Sequence, residues 1–417
     1  MSPPLNQAAS TLPPYCDVLV LGAGPAGSAC AKWLAAAGRH VVLVDAQRFP
    51  RDKTCGDGLV PDTHAALRRL GVLDAVLAQA RRAATARCVA PNGRSIDVPG
   101  ELAALPRRKL DTLLCQAAVE AGAHMVAPVR FESLLRDAQG RVIGAQLRSS
   151  TDGSHEVLAD WVVLATGASL KPLEASGLCQ RRTPTGMAIR GYVRHPGMAA
   201  EIPGLRFFWH PTLKQGYGWI FPGPDHTYNI GTGVLKSLDA DPVGPAPKAR
   251  NLRAMFADFV AADPVAAKLV REGEMLGDLK GAPLRCDLNG ARWSSPGLLA
   301  VGDAIGATYG FSGEGIGKAL ETGIAAAEAL LTDPAQDSQG NAAVQAQFHA
   351  RLEALRPQFN LYRKAASVNQ HPWLLNLLIW RAQHSPRIIS RLADILAERR
   401  PPGSLLSWRG LKRLILG

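Results

Sequence analysis

The sequence predicts an α/β fold: a discontinuous Rossmann-like dinucleotide-binding domain, a β-sheet substrate domain and a helical C-terminal part. Three observations predict it. A glycine-rich turn near the N-terminus joins a short apolar strand to a helix. A second apolar strand, a glycine-bearing loop and an Ala-rich helix follow about 280 residues later. Beyond them the chain turns helical and basic.

The length of 417 residues exceeds what one compact core takes up. With 47% hydrophobic and 20% charged residues the chain has a globular composition rather than a disordered one. Residues 1–14 carry no Lys or Arg and no apolar core segment, so they read as a loose leader. No run reaches the ~18 apolar residues of a membrane span. The seven cysteines are scattered and form no C-x-x-C pair. That argues against a disulfide framework, a zinc site and an iron–sulfur cluster, and it points to the reducing cytoplasm. His64, His124, His195, His210 and His226 have no ligand spacing, so no metal is expected.

Asp17–Leu21 is a strand-length apolar run that leads into Gly22-Ala-Gly24-Pro-Ala26-Gly27. A helix over Ser28–Ala37 follows, then a second strand, Val41–Val44, ending on Asp45. In this βαβ setting Gly22 permits the tight turn, Gly24 admits a pyrophosphate and Gly27 allows close helix–strand packing. The helix N-terminus offers free N–H groups to phosphate, and Asp45 can accept from a ribose diol. This motif alone does not separate FAD from NAD. The second signal does: the strand Gly297–Val301 runs into Gly302-Asp303-Ala304, the loop Gly310–Gly315 and a helix over Ile316–Leu331. A carboxylate facing a helix N-terminus suits a ribityl chain, and Gly313 and Gly315 let backbone N–H groups approach a flavin ring. The cofactor expected is non-covalent FAD.

Four motifs together resemble the FAD-dependent geranylgeranyl reductase family, within the glutathione-reductase-like flavoproteins that also hold aromatic hydroxylases and flavin halogenases. The first is the Gly22–Asp45 unit. The second, Pro50–Leu59, contains Lys53-Thr-Cys55-Gly56 and is similar to the family's K-x-C-G segment beside the flavin. The third is Tyr217-Gly-Trp219-Ile-Phe221-Pro222, with Gly231-Thr-Gly233 eight residues further on; it resembles an aromatic motif lining the family's lipid pocket. The fourth runs from Gly302-Asp303 to Gly313-Glu314-Gly315-Ile316. Arg107 stands where relatives place an arginine on the cofactor. The resemblance thus assigns cofactor contact to Gly22, Gly24, Ala26, Gly27, Asp45, Cys55, Gly56, Arg107, Gly302, Asp303, Gly313, Gly315 and Ile316. It assigns the substrate pocket to Tyr217, Trp219 and Phe221. One departure stands out: after Trp161–Ala165, where aromatic hydroxylases of the group carry Asp-Gly, this chain has Thr166-Gly167.

Several of these residues have a second reading. Cys55 is a catalytic candidate or a small spacer between loop and ring; a reactive thiol needs electropositive surroundings, which Arg51 and Lys53 could supply. Tyr217, Trp219 and Phe221 share one face of a strand, as a substrate wall or as a core stripe. Glu314 reads as a brace between two glycines rather than an acid. From Arg351 onward 12 Lys and Arg face three acids. Ser385-Pro386 starts a helix whose Ile388, Ile389, Leu392, Ile395 and Leu396 form an apolar stripe, with Arg387, Arg391 and Glu398 opposite. That helix reads as a cap on the body. Leu405–Leu416, with Trp408 among three cations, reads as a cap or as an interfacial membrane helix. No nucleic-acid platform is visible.

The expected organisation is a leader at 1–14, an FAD domain from 15–80, 101–170 and 285–335, a substrate domain from 81–100 and 171–284, and a helical region at 336–417. The expected activity is flavin-dependent reduction of carbon–carbon double bonds in an isoprenoid or other long-chain lipid. The alternative is a monooxygenase or halogenase acting on an aromatic or natural-product scaffold; a non-catalytic flavin binder would need a broken site feature. With no second βαβ unit, NAD(P)H docking transiently or a carrier protein would supply electrons. The expected location is the cytoplasm, peripheral at an anionic membrane face.

Overall fold

The computed structural model describes residues 4–213, 216–235, 251–332, 338–365 and 372–399. In chain order the strands that position the site are β1 (Tyr15–Leu21), β2 (Val41–Val44), β3 (Arg81–Val89), β4 (Ser95–Ala104), β5 (His124–Val126), β6 (Gly153–Leu164), β7 (Gly186–Arg194), β8 (Leu205–Phe208), β9 (Gly216–Pro222), β10 (Thr227–Leu235), β11 (Lys280–Leu284) and β12 (Leu298–Ala300). The helices are α1 (Pro25–Ala36), α2 (Pro61–Arg69), α3 (Arg107–Glu120), α4 (Ile316–Leu330), α5 (Ser338–Ala365), α6 (Pro372–Gln383) and α7 (Pro386–Leu396).

The first sheet has a parallel core in the order β12-β6-β1-β2-β5. Val41–Val44 is wholly buried, as a strand covered on both faces must be. Leu21 pairs with Val44 and Leu164, and Ala300 with Leu164, so four strands end at one level. Their carboxyl ends open a crevice where the strand order reverses, the site at which such sheets bind nucleotides. Helix α1 begins at Pro25, three residues ahead of the start read from the sequence. Gly24 is its N-cap and Pro25 its first residue, so proline's missing N–H costs no hydrogen bond.

The second sheet runs Glu274–Met275, β7, β10, β9, β8, β3, β4, Gly58–Leu59, with β11 also on β7. It is antiparallel except between β8 and β3. Gly58 and Leu59, from the Cys55 segment, pair with Ala104 and Ala103 at its edge. The C-terminal helices cover both units. Phe348, Leu352 and Phe359 of α5 enter the core of the parallel sheet. Helices α6 and α7 pack on β3 and β4, with Ile388, Ile389, Leu392 and Leu396 around Ile96 and Val98. That contact makes α7 a cap. The segment Leu405–Leu416 lies outside the described residues.

Candidate active site

The glycines at the crevice are set by contacts with backbone. Gly22 has φ +110, and a Cβ there would lie 2.4 Å from the carbonyl oxygen of Ala165. A Cβ on Gly27 would lie 1.8 Å from the carbonyl oxygen of Gly22, and one on Gly302 3.0 Å from the Ala26 methyl. Gly24 differs: within 4 Å a Cβ would meet only the guanidinium nitrogens of Arg51 and Arg107, at 3.8 and 3.9 Å. An open glycine at a helix N-terminus under two cations fits a pyrophosphate. Asp45 accepts from the amides of Ala23 and Gln47 at 3.0 Å each and from Arg51 at 3.1 Å. Arg51 also bonds Asp111 at 2.8 Å, and Arg107 bonds Asp111 at 2.6 and 2.9 Å. Arg51 and Asp111 escape a sequence reading because each side chain finds its place only in this four-membered network.

Asp303 accepts from the Thr308 hydroxyl at 2.7 Å, and a Cβ on Gly315 would strike that hydroxyl at 2.3 Å. Burial and Arg107 lower the pKa of Lys53, while Asp303 and Cys55 act the other way, so the Lys53 amine links the second and fourth motifs. Thr166 Oγ1 is buried beside Gly22 with no protein partner. Two guanidiniums and a helix N-terminus as donors, two strand-end carboxylates as acceptors and a free hydroxyl form a set that fits FAD.

The aromatic motif is explained by register. Trp219 pairs with Gly231, and Tyr217 with Gly233. A Cβ on Gly231 would lie 2.3 Å from the Trp219 ring, so the indole lies across the glycine. The eight-residue spacing is that of the β9–β10 hairpin. Tyr217, Trp219 and Phe221 are 8%, 5% and 7% exposed and cluster with Leu205, Ala83 and Leu102. Tyr217 donates to the carbonyl of Ser312, and a Cβ on Gly56 or Gly58 would touch the Phe221 ring at 3.2 or 3.1 Å. The stripe therefore spans from the Cys55 segment to the 310–315 loop. It packs as core and lies beside both loops, which accommodates the two readings of it.

A polar edge on the same sheet face was not legible in the sequence. Asp57, 1% exposed and at φ +67, accepts from the Tyr192 hydroxyl at 2.5 Å, from Asn229 Nδ2 at 2.7 Å and from the Arg107 amide at 3.2 Å. Asn229 also donates to the Cys55 carbonyl at 2.7 Å and accepts from Trp219 Nε1 at 2.9 Å. Burial outweighs these donors and pushes Asp57 up to about 6. Arg190, 2% exposed, stacks on Tyr192 at 4.3 Å and pairs with Asp52, which Lys280 also holds at 2.8 Å. Asn229 sits in the eight-residue spacer of the third motif and Asp57 inside the second, the only signal either gives.

Cys55 does not have the surroundings of a thiolate. Arg51 is committed to Asp45 and Asp111. Burial raises the Cys55 pKa and outweighs the opposing charge and hydrogen bond of Arg107. Glu314 lies in a second buried cluster. Lys318, 3% exposed along its side chain, faces Glu321 and Glu398 at 2.9 Å and Asp62 at 3.6 Å. Burial and Asp62 raise the Glu314 pKa well above the ordinary range, so the carboxyl is held neutral against Asp62. Glu398 departs from the expected placement beside Arg387 and Arg391. It lies past the end of α7 at φ +54, and the Tyr309 hydroxyl donates to it at 3.0 Å. The left-handed turn that ends the helix swings it inward.

Residues 15–182 match the FAD binding domain family. The menaquinone reductase of Mycolicibacterium smegmatis is 34% identical over 344 residues, 77% of this chain and 78% of that one. The digeranylgeranylglycerophospholipid reductase 2 of Methanopyrus kandleri is 32% identical over 314 residues, 75% and 76% of the two chains. The chain belongs to the geranylgeranyl reductase family. It is an FAD-dependent oxidoreductase of that kind. Among solved structures, a geranylgeranyl bacteriochlorophyll reductase-like protein from Thermoplasma acidophilum superposes with a TM-score of 0.68 at 20% identity, covering 96% of each chain. The flavin-dependent brominase Bmp2 superposes at 0.71 with 18% identity, covering 96% of this chain and 97% of that one. These likenesses show the fold. Among the described residues no helix is long and apolar enough to be a membrane span.

Proposed function

We propose that this geranylgeranyl reductase family member saturates carbon–carbon double bonds in the isoprenoid part of a lipid. The observation that carries the reading is the buried aromatic face of β9 lying between the Cys55 segment and the 310–315 loop. An alkene chain against Tyr217, Trp219 and Phe221 would lie beside the cofactor with water excluded, and bound FAD supplies the hydride. In this reading Gly22, Gly24, Ala26, Gly27 and Arg107 hold the pyrophosphate, Asp45 the ribose and Asp303 the ribityl chain. Gly302, Gly313, Gly315 and Ile316 bring backbone near the ring, and Cys55 with Gly56 covers it. The thiol, held neutral, packs against the ring rather than attacking it.

Chemically reduced enzyme, kept anaerobic with a polyprenyl lipid, should yield a product two hydrogens heavier. A product that gains oxygen or halogen, and only in air, would instead establish the monooxygenase or halogenase reading. NAD(P)H docking transiently, or an electron-carrier protein, would reduce the enzyme in turn. Stopped-flow flavin reduction by NADPH tests the first. The basic C-terminal segment would dock at an anionic membrane face of the cytoplasm, with each cation near the surface worth ~1 kcal/mol. Deleting 405–417 should then weaken binding to anionic vesicles while leaving FAD content unchanged.

A further inference from the structure

We propose that Asp57, with Tyr192, is the acid that supplies the proton for double-bond reduction. The inference rests on the reading above and adds the residue that balances it.

The placement comes first. Tyr192, Asn229 and Phe221 occupy one cross-strand row, since Tyr192 pairs with Asn229 and Asn229 with Phe221. Their side chains therefore share the sheet face that carries Trp219's row two residues away. The left-handed backbone at Asp57 turns its carboxyl into that row, while Gly56 and Gly58 on either side meet the Phe221 ring. The acid thus stands at the polar edge of the aromatic wall. Asn229 ties it to the wall through Trp219 and to the Cys55 segment through the Cys55 carbonyl.

The charges around it leave it unpaired. Asp57 makes no ion pair among the described residues. Arg190 of β7 is engaged by Asp52 and Arg107 of α3 by Asp111, while Lys280 of β11 also holds Asp52. On its own loop, Lys53 lies toward Arg107 and Asp303. Asp287 is also pushed up to about 6 by burial, but it is held by the Gly310 amide at 3.1 Å at the far loop rather than on this sheet face. The remaining groups able to give a proton are weaker acids. Burial raises the Cys55 thiol and the phenols of Tyr192 and Tyr217. Glu314 is raised well above its ordinary range and faces Asp62. Asp57, at about 6, is the buried acid on this sheet face that is partly protonated near neutrality.

The step balances. The carboxyl O–H bond breaks and a C–H bond forms at one alkene carbon, and the other carbon takes the hydride that bound, reduced FAD supplies. The alkene gains two electrons and the cofactor loses two. Asp57 is left as a carboxylate that the Tyr192 hydroxyl and the Asn229 amide stabilise, and it regains a proton from water.

The test uses full-length, FAD-loaded protein. Without substrate, infrared spectra should show a carboxylic-acid carbonyl band that titrates with a midpoint near pH 6 and is missing from Asp57→Asn. Tyr192→Phe removes a donor that favours the carboxylate and should move that midpoint upward; it carries the test if Asp57→Asn fails to fold. With a polyprenyl lipid, kcat should fall as pH rises through the same midpoint. Asp57→Asn should lose that limb and about 10²-fold or more in kcat, and Asp57→Glu should restore part of both. The proposal is overturned if no carboxyl band that Asp57→Asn removes titrates near pH 6. It is equally overturned if Asp57→Asn loses rate with the pH limb intact, which would make Asp57 a strut. Wild-type enzyme that saturates no lipid would sink the function reading, yet the infrared band would still decide whether Asp57 is the site's acid.

Discussion

The crevice of the parallel sheet and the face of the antiparallel sheet solve binding in different ways. At the crevice, fit is made by backbone: Gly22, Gly27 and Gly302 stand where any Cβ would meet a carbonyl or a neighbouring methyl. On the antiparallel face fit is made by side chains that satisfy one another: Trp219 on Asn229, Asn229 on Asp57, Asp57 on Tyr192. The first arrangement tolerates almost no substitution but is short-range. The second spreads its energy over residues from separate strands, so single changes there should be milder and should alter chemistry more than folding.

The most severe test of this contrast is Gly27→Ala. Its Cβ would sit 1.8 Å from a carbonyl oxygen, so helix α1 must move off β1. A loss of about 3 kcal/mol or more is expected, with no yellow protein recovered. Near-normal thermal unfolding and FAD content in that variant would refute a crevice made by backbone contact.

A comparable figure is expected on the other face, but as a function of pH. The folded Asp57 carboxyl titrates at about 6 instead of 3.8. A raised acid adds stability that is full below pH 3.8 and is lost as pH rises through 6. The span corresponds to about 3 kcal/mol. Urea unfolding of wild type and Asp57→Asn between pH 4 and 7 should therefore show wild type losing ground steadily. A gap that stays constant with pH would mean Asp57 titrates normally.

Asp303→Ala should weaken FAD binding by ~1.5–3 kcal/mol, since a buried diol would lose its charged acceptor. Tight FAD retention by this variant would remove Asp303 from the cofactor site. The gentlest change is Trp219→Phe, which leaves Asn229 without its indole donor at a cost of about 1–2 kcal/mol. FAD content should hold while KM for a lipid substrate rises. If FAD is lost as readily as with Asp303→Ala, the two regions are not independent.

Legibility in the sequence follows the same division. The Gly22–Asp45 unit and the Gly302–Ile316 unit were readable because local spacing alone fixes a turn, a helix start and a strand-end carboxylate. Only the start of α1 was misplaced, by passing over Pro25 as a first helical residue. The alternation of Tyr217, Trp219 and Phe221 gave a shared face, and the paired glycines gave a hairpin. Glu398 was misread because a helical pattern extended past Leu396 predicts a solvent face, whereas the chain turns left-handed there.

By itself, then, the sequence determined the Rossmann-like unit, its cofactor and the aromatic strand, since each depends on residues a few positions apart. Only the tertiary structure decided that Asp57, Tyr192 and Asn229 share one site, that Arg51 bridges Asp45 and Asp111, and that Lys318 gathers Asp62, Glu321 and Glu398. Asn229 and Asp57 are 172 residues apart in the chain, and Lys318 and Asp62 farther still. A buried carboxyl takes its charge state from whatever the fold brings against it, and no local pattern encodes that.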